Sequence, residues 1–164
     1  MTIYLKKKQS LQLDVFNFKC SIGKNGLSKN KIEGDLKTPL GVFSLGNLYY
    51  RSDRVDKPIT TLKCIKIDKN MGWCDDPLKK EKYNKLIKIN KKIKHEKLYR
   101  RDHKYDLLIP IKYNFINTIP GKGSCIFIHL TNNYAPTAGC IVLKKKDFLI
   151  MLKLIKKNTK IKID

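Results

Sequence analysis

Short apolar segments with strand character recur from the first residues of the chain: Thr2 to Leu5, Leu11 to Phe16, Phe18 to Ile22, Gly41 to Leu48 and Leu62 to Ile67. Between them, Gly23-Lys24-Asn25-Gly26 predicts a turn. Gly34-Asp35 followed by Thr38-Pro39 predicts a loop, because proline lacks the N–H that a ladder needs. Residues 1–70 therefore read as a β-meander. Residues 71–105 break the pattern, with a tight turn at Trp73-Cys74-Asp75-Asp76-Pro77 and weak helical signals among the lysines from Lys79 to Lys97. This stretch predicts an inserted loop or lid with short helices, since a long excursion without its own core usually serves a site. Strand character returns at Tyr105 to Ile111 and at Cys125 to Leu130. After Cys140-Ile141-Val142-Leu143, the segment Lys144 to Lys157 places Phe148, Met151, Leu152 and Ile155 on one helical face. Asp147 in the first turn and Lys156 and Lys157 in the last suit the helix dipole. Ile161-Lys162-Ile163 predicts a closing strand. The expected fold is mostly β (α+β) with one marked helix, as a single domain over residues 1–164.

Composition changes this picture little. Of 164 residues 41% are apolar and evenly spread, enough for a continuous core without staples. The net charge of +22 comes from 36 basic against 14 acidic residues, and only four of the basic ones are arginine (Arg51, Arg54, Arg100, Arg101). Lysine acts mainly as a solvated point charge, whereas nucleic-acid readers concentrate arginine for bidentate contacts. The excess reads as a solvated surface or a coding bias. A non-enzymatic polyanion or nucleic-acid binder stays open on charge alone, because such a field concentrates any acidic partner. An aromatic series on one strand would support that binder, but the eight tyrosines are scattered.

Five cysteines without a CxxC pair, and three histidines, imply neither a disulfide framework nor a zinc site, so no metal is expected. The apolar stretch before Lys6, Lys7 and Lys8 is too short for a secretion signal. The expectation is a cytoplasmic protein, or a periplasmic one if another export route serves it. No apolar run approaches the roughly 18 residues that span a membrane.

The candidate chemistry lies late in the chain. In Ile126-Phe127-Ile128-His129-Leu130, alternation puts Phe127 and His129 on one face and the aliphatic residues on the other. His129 thus leaves the sheet beside the polar loop Thr131-Asn132-Asn133-Tyr134. Cys140 follows Pro136-Thr137-Ala138-Gly139, small residues that let backbone approach a substrate and aim N–H groups at one point. An imidazole can take the proton of such a thiol and leave an attacking thiolate. Local chemistry leaves both a catalytic role and a buried structural role open for each residue. Trp73 reads as a packing anchor.

His129 together with Pro136-Thr137-Ala138-Gly139-Cys140-Ile141 resembles the signature of the L,D-transpeptidase family (YkuD-like catalytic domain), a histidine followed by Ser/Thr-x-Gly-Cys. Gly34-Asp35-Leu36-Lys37-Thr38-Pro39-Leu40-Gly41-Val42-Phe43 resembles the family's earlier Gly-Asp-x-x-Thr-Pro-x-Gly-x-Phe block, in the expected order. Gly72 to Pro77 with Tyr83-Asn84, Arg101 to His103 with Tyr105-Asp106, and Pro120 to Ser124 look like a compact single-domain bacterial branch. The resemblance implies a β-sandwich or partly open barrel, with Cys140 as nucleophile and His129 as proton donor and acceptor. It places Gly139 in a backbone oxyanion hole and has a main-chain carbonyl orient the histidine. It implies no cofactor and peptidoglycan stem peptides or muropeptides as partners; the chain is expected to be a monomer. Cys140 is expected to attack at the L-centre of diaminopimelate in a tetrapeptide stem, releasing D-alanine. An amine acceptor makes this L,D-transpeptidation; water makes it L,D-carboxypeptidase trimming. Two departures, Ala138 where many members have His and Val142 where many have Arg or Asn, remove polar groups near the substrate. Thr137, Arg101, His103 and Tyr134 are the expected substrate-binding residues, with Arg100 or a lysine of the inserted loop as substitutes.

Overall fold

The computed structural model describes residues 1–6 and 9–164; Lys7 and Lys8, part of the charged run read above, lie outside the described residues. The chain runs β1 (Thr2–Lys6), β2 (Ser10–Leu13), β3 (Phe16–Lys19), β4 (Leu27–Ser28), β5 (Thr38–Pro39), β6 (Gly41–Ser44), β7 (Leu48–Tyr50) and β8 (Cys64–Lys66). It continues with β9 (Met71–Cys74), β10 (Leu86–Lys88), β11 (His95–Lys97), β12 (Leu107–Pro110), β13 (Phe127–Leu130), β14 (Ile141–Leu143), α1 (Lys145–Leu154) and β15 (Lys160–Ile163). Two five-stranded sheets dominate, in the orders β3-β2-β1-β15-β6 and β14-β13-β12-β7-β8. Neither closes into a barrel, and the fold is mostly β with one short helix, as the alternation predicts.

Period-2 alternation builds the main core. Ile3, Leu5, Leu11, Leu13, Ile161 and Ile163 face inward from the first sheet and meet Leu107, Ile109, Ile128, Leu130, Ile141 and Leu143 of the second. Phe148, Met151, Leu152 and Ile155, the predicted helical face, fill the same core and are fully buried. Burial of each such side chain contributes roughly 1.5–3 kcal/mol before chain entropy is set against it. The helix stops at Leu154, short of the predicted Lys157. Ile155 takes an extended backbone that keeps its side chain in the core, so Lys156 and Lys157 fall outside the last turn. Among the described residues no helix is long and apolar enough to cross a membrane.

The meander holds only for β1 to β3. The C-terminal strand β15 inserts between β1 and β6, parallel to β1 with Ile3 opposite Ile161 and Leu5 opposite Ile163. The run Leu11 to Phe16 is broken at Asp14-Val15, a two-residue hairpin loop in which Asp14 has φ +54. Thr38-Pro39, expected as loop, pairs parallel with β4. The ladder tolerates Pro39 because the N–H groups on either side of it donate, Thr38 to Gly26 O at 2.8 Å and Leu40 to Ser28 O at 2.8 Å.

Residues 71–105 hold a three-stranded antiparallel sheet, β10-β9-β11, where short helices were expected. Lysine content suggested helix, but Asp76 and Asn90 side chains cap turns by accepting the Leu78 and Lys92 N–H groups, and Trp73 anchors the central strand. Its ring packs edge-on against Phe127 and Tyr49, as the packing reading requires. This sheet packs on the second face of β7, β12 and β13. A smaller core of Tyr49, Trp73, Leu98, Tyr105, Leu108, Phe127 and Cys140 lies there.

Candidate active site

The strands bring His129 and Cys140 to that second face. β13 and β14 run parallel with Ile128 opposite Ile141 and His129 opposite Val142. Alternation then turns Phe127 and His129, like Cys140 and Val142, away from the main core. His129 and Cys140 lie diagonally on adjoining strands, 6% and 8% exposed, and both line a cavity of about 670 Å³. Thr137, Ala138, His103, Lys104, Tyr105 and Lys145 line it too. Among the described residues no group of three or more His, Cys, Asp or Glu is arranged to hold a metal.

His129 Nδ1 lies 3.0 Å from Leu130 O, and the edge of the Tyr105 ring packs against the imidazole at 5.0 Å between centroids. An Nδ1–H donated to that carbonyl leaves Nε2 as the basic nitrogen. The thiol of Cys140 donates to Cys125 O at 3.1 Å and accepts the Phe127 N–H at 3.4 Å. Burial pushes the thiol up to about 12, opposed by the Phe127 N–H. Burial pushes His129 down to about 4, helped by the positive charges of Lys104 and Arg100. Burial therefore favours the neutral form of both the thiol and the imidazole.

The depressed histidine also bears on stability. Between pH 6.5 and about 4 the unfolded chain protonates His129 while the folded chain does not, so the native state is favoured in full above pH 6.5 and loses ground as the pH falls. A shift of this size corresponds to about 3 kcal/mol lost by pH 4. Urea titrations at pH 7 and pH 4.5 should show a smaller acid loss for His129→Gln than for the parent. Equal losses would remove the depressed histidine as a cause.

The two sequence blocks that carry the resemblance meet in space. The fully buried Thr38 hydroxyl donates to Gly139 O at 2.8 Å and accepts the Gly23 N–H at 2.9 Å. Thr137 Oγ1 donates to Cys140 O at 2.6 Å and accepts the Gly139 N–H at 3.1 Å. Gly139 has φ +145, and a Cβ there would stand 2.8 Å from Lys37 O. The turn before Cys140 is thus held from both sides.

Three of the expected site residues, Gly139, Tyr134 and Arg101, do not line this cavity. The Gly139 N–H donates to Thr137 Oγ1 at 3.1 Å, and Gly139 is absent from the cavity wall. Tyr134 turns its ring toward Lys19 and Lys144, at 4.8 and 5.5 Å, and does not line the cavity. Arg101 is exposed, and only its carbonyl is engaged, by Arg54. Thr137 and His103 do line the cavity, His103 with Nδ1 2.7 Å from Asp106 Oδ2. Arg100 lines it as well, but its guanidinium is spent on Asp102 and Glu96 at 2.7 to 2.9 Å. Arg51 and Arg54 donate to the carbonyls of Arg100, Arg101 and Asp102. Arginine here braces the loop over the site, a use that composition could not reveal.

Sequence reasoning misses the polar groups behind the site: Phe127 N–H, Cys125 O and Asn84. Asn84 Oδ1 accepts from Trp73 Nε1 at 3.0 Å and from Cys125 N at 3.2 Å, so the inserted sheet positions the carbonyl that holds the thiol. Tyr83-Asn84 stood in the resembling stretches, and that was the only signal for it.

A buried thiol and a buried imidazole thus line one cavity, beside a glycine turn with φ +145. The chain belongs to the YkuD L,D-transpeptidase catalytic domain family, whose model it matches over residues 1–163. No curated protein matches it. A solved structure, the helical cell shape determining protein Pgp2 from Campylobacter jejuni, has a similar fold with a TM-score of 0.55 at 18% identity. The similarity covers 99% of this chain and 46% of the Pgp2 chain, so this chain spans less than half of that one.

Proposed function

We propose that Cys140 is an acyl-transfer nucleophile acting on peptidoglycan tetrapeptide stems, as an L,D-transpeptidase. The observation that carries this reading is the pairing of Cys140 and His129 on one wall of the 670 Å³ cavity. The stem carbonyl at the L-centre of diaminopimelate enters beside Sγ. The thiol proton passes to His129 Nε2 as the C–S bond forms, and the imidazolium returns it to the departing D-alanine amine as the C–N bond breaks. The acceptor amine then gives a proton to His129, attacks the thioester and releases Sγ, which is reprotonated. Because thiol and imidazole are both neutral at rest, substrate binding is the event that triggers transfer. Val142 offers no charge to the stem carboxylates, while Lys104 and Lys145 line the cavity and take part in no ion pair among the described residues. They are the cations left to meet an acidic stem. Pgp2 is a helical cell shape determining protein, and remodelling of wall peptides is the corresponding setting for this chain.

Incubation with a purified tetrapeptide muropeptide, followed by mass spectrometry, tests the proposal. A cross-linked dimer or exchange of the terminal residue for an added D-amino acid is the expected product. Loss of one alanine alone would assign water as the acceptor, and thus L,D-carboxypeptidase trimming. An unchanged substrate beside a chemically reactive Cys140 would overturn the enzyme reading.

A further inference from the structure

Lys31 is the one lysine buried among the described residues, 3% exposed. Its stem lies against Gly123, where φ is +100 and a Cβ would meet the lysine Cε, Cδ and Cγ at 2.9 to 3.1 Å. Its Nζ reaches Asp35 Oδ1 at 2.6 Å and stands 3.6 Å from where a Cβ on Gly139 would be. Asp35 in turn accepts the N–H groups of Ile32 and Lys37, both at 2.9 Å. Burying an ammonium is costly unless it is paired, and here the pair sits under the residue that precedes the nucleophile.

On the reading that Cys140 is the nucleophile, we propose that Lys31 is a positioning residue for it. The buried ammonium, held between Asp35 and the Gly139 turn, fixes that turn and supplies the positive field in which the Cys140 thiolate forms. The other groups facing the thiol do not supply it. His129 on β13 is neutral at rest, Tyr105 and Cys125 are uncharged, and Glu96 on β11 opposes a thiolate. Asp35 partly cancels the field, since burial fails to keep its carboxyl from falling below the ordinary value once Lys31 and the two N–H groups hold it. Lys31 also lies between the loop at Gly123, two residues before the carbonyl that accepts the thiol hydrogen bond, and the turn at Gly139.

The pH profile of iodoacetamide labelling in the native full chain tests this, with fragment masses separating Cys140 from Cys125. Lys31→Met should raise the labelling midpoint of Cys140 by about one pH unit, or about tenfold in rate below the midpoint. Asp35→Asn, which leaves the ammonium unopposed, should lower the midpoint, and Lys31→Arg should restore most of the parent profile. A purely structural role would move Lys31→Met and Asp35→Asn in the same direction or not at all, and either result overturns the proposal. If Lys31→Met does not fold, Asp35→Asn decides, because an unchanged or raised midpoint is contrary to it. Labelling needs no substrate, so these outcomes are separable from failure of the tetrapeptide reading, which would show as absent product beside an intact labelling profile.

Discussion

Cys140→Ala should abolish product formation from the tetrapeptide muropeptide, with a loss on the order of 10⁴-fold or more, while leaving the protein folded. The fold should survive because the sulfur contributes little to the main core. It sits in the smaller cluster, with the Phe127 N–H and the Cys125 carbonyl as its polar partners, and its removal leaves a space of about one methyl group. Such a truncation costs about 1 kcal/mol. Cys140→Ser is the stricter test. A serine hydroxyl is far less acidic than a thiol, and an imidazole held down to about 4 is a weak base. The serine variant should therefore be inactive too, although its hydroxyl can make the same hydrogen bonds. Mass spectrometry should detect an acyl-enzyme on the parent and none on either variant. Product formation by Cys140→Ala at more than about a hundredth of the parent rate would place the chemistry elsewhere.

What was legible in the sequence, and what was not, follows from the range of each interaction. Alternation around His129 and the 3.6-residue period from Phe148 are local, and both elements form, the helix ending at Leu154, before the predicted Lys157. The pairing of β15 with β1 joins residues at opposite ends of the chain, and nothing in either strand's pattern names the partner. The lysine-rich stretch misled because composition outweighed its few scattered buried anchors, Trp73, Cys74, Tyr83 and Leu98 among them. At the site, Cys140 and His129 stood out through their motif, whereas Thr38 stood out only as part of a block whose contact with Gly139 the sequence could not show. Lys31 was hidden by its abundance. In a chain with 36 basic residues a lysine reads as surface, and only its spacing of four from Asp35 hinted at a pair. Tyr134 and Arg101 were near the motifs in sequence, but nearness along a strand or loop does not set which way a side chain turns.

Gly139→Ala is expected to damage both stability and turnover. At φ +145 an L-residue is strained by roughly 1–3 kcal/mol whatever surrounds it. Here the added Cβ would also stand 2.8 Å from Lys37 O and 3.1 Å from Ile126 Cδ1, so one neighbour is backbone and cannot rotate away. Overpacking adds about 1–3 kcal/mol. Relief requires the turn to move off the Gly34 to Phe43 block, and that motion breaks the Thr38 hydroxyl bond to Gly139 O and carries Cys140 away from His129. The variant should therefore lose about 3–5 kcal/mol in a urea titration. It should also lose nearly all turnover and label faster at Cys140 with a small thiol reagent, because the thiol is released from its buried setting. Stability within about 0.5 kcal/mol of the parent, the range of an ordinary surface change, would mean that the turn accommodates a side chain and that the lock between the two blocks is not what holds the nucleophile.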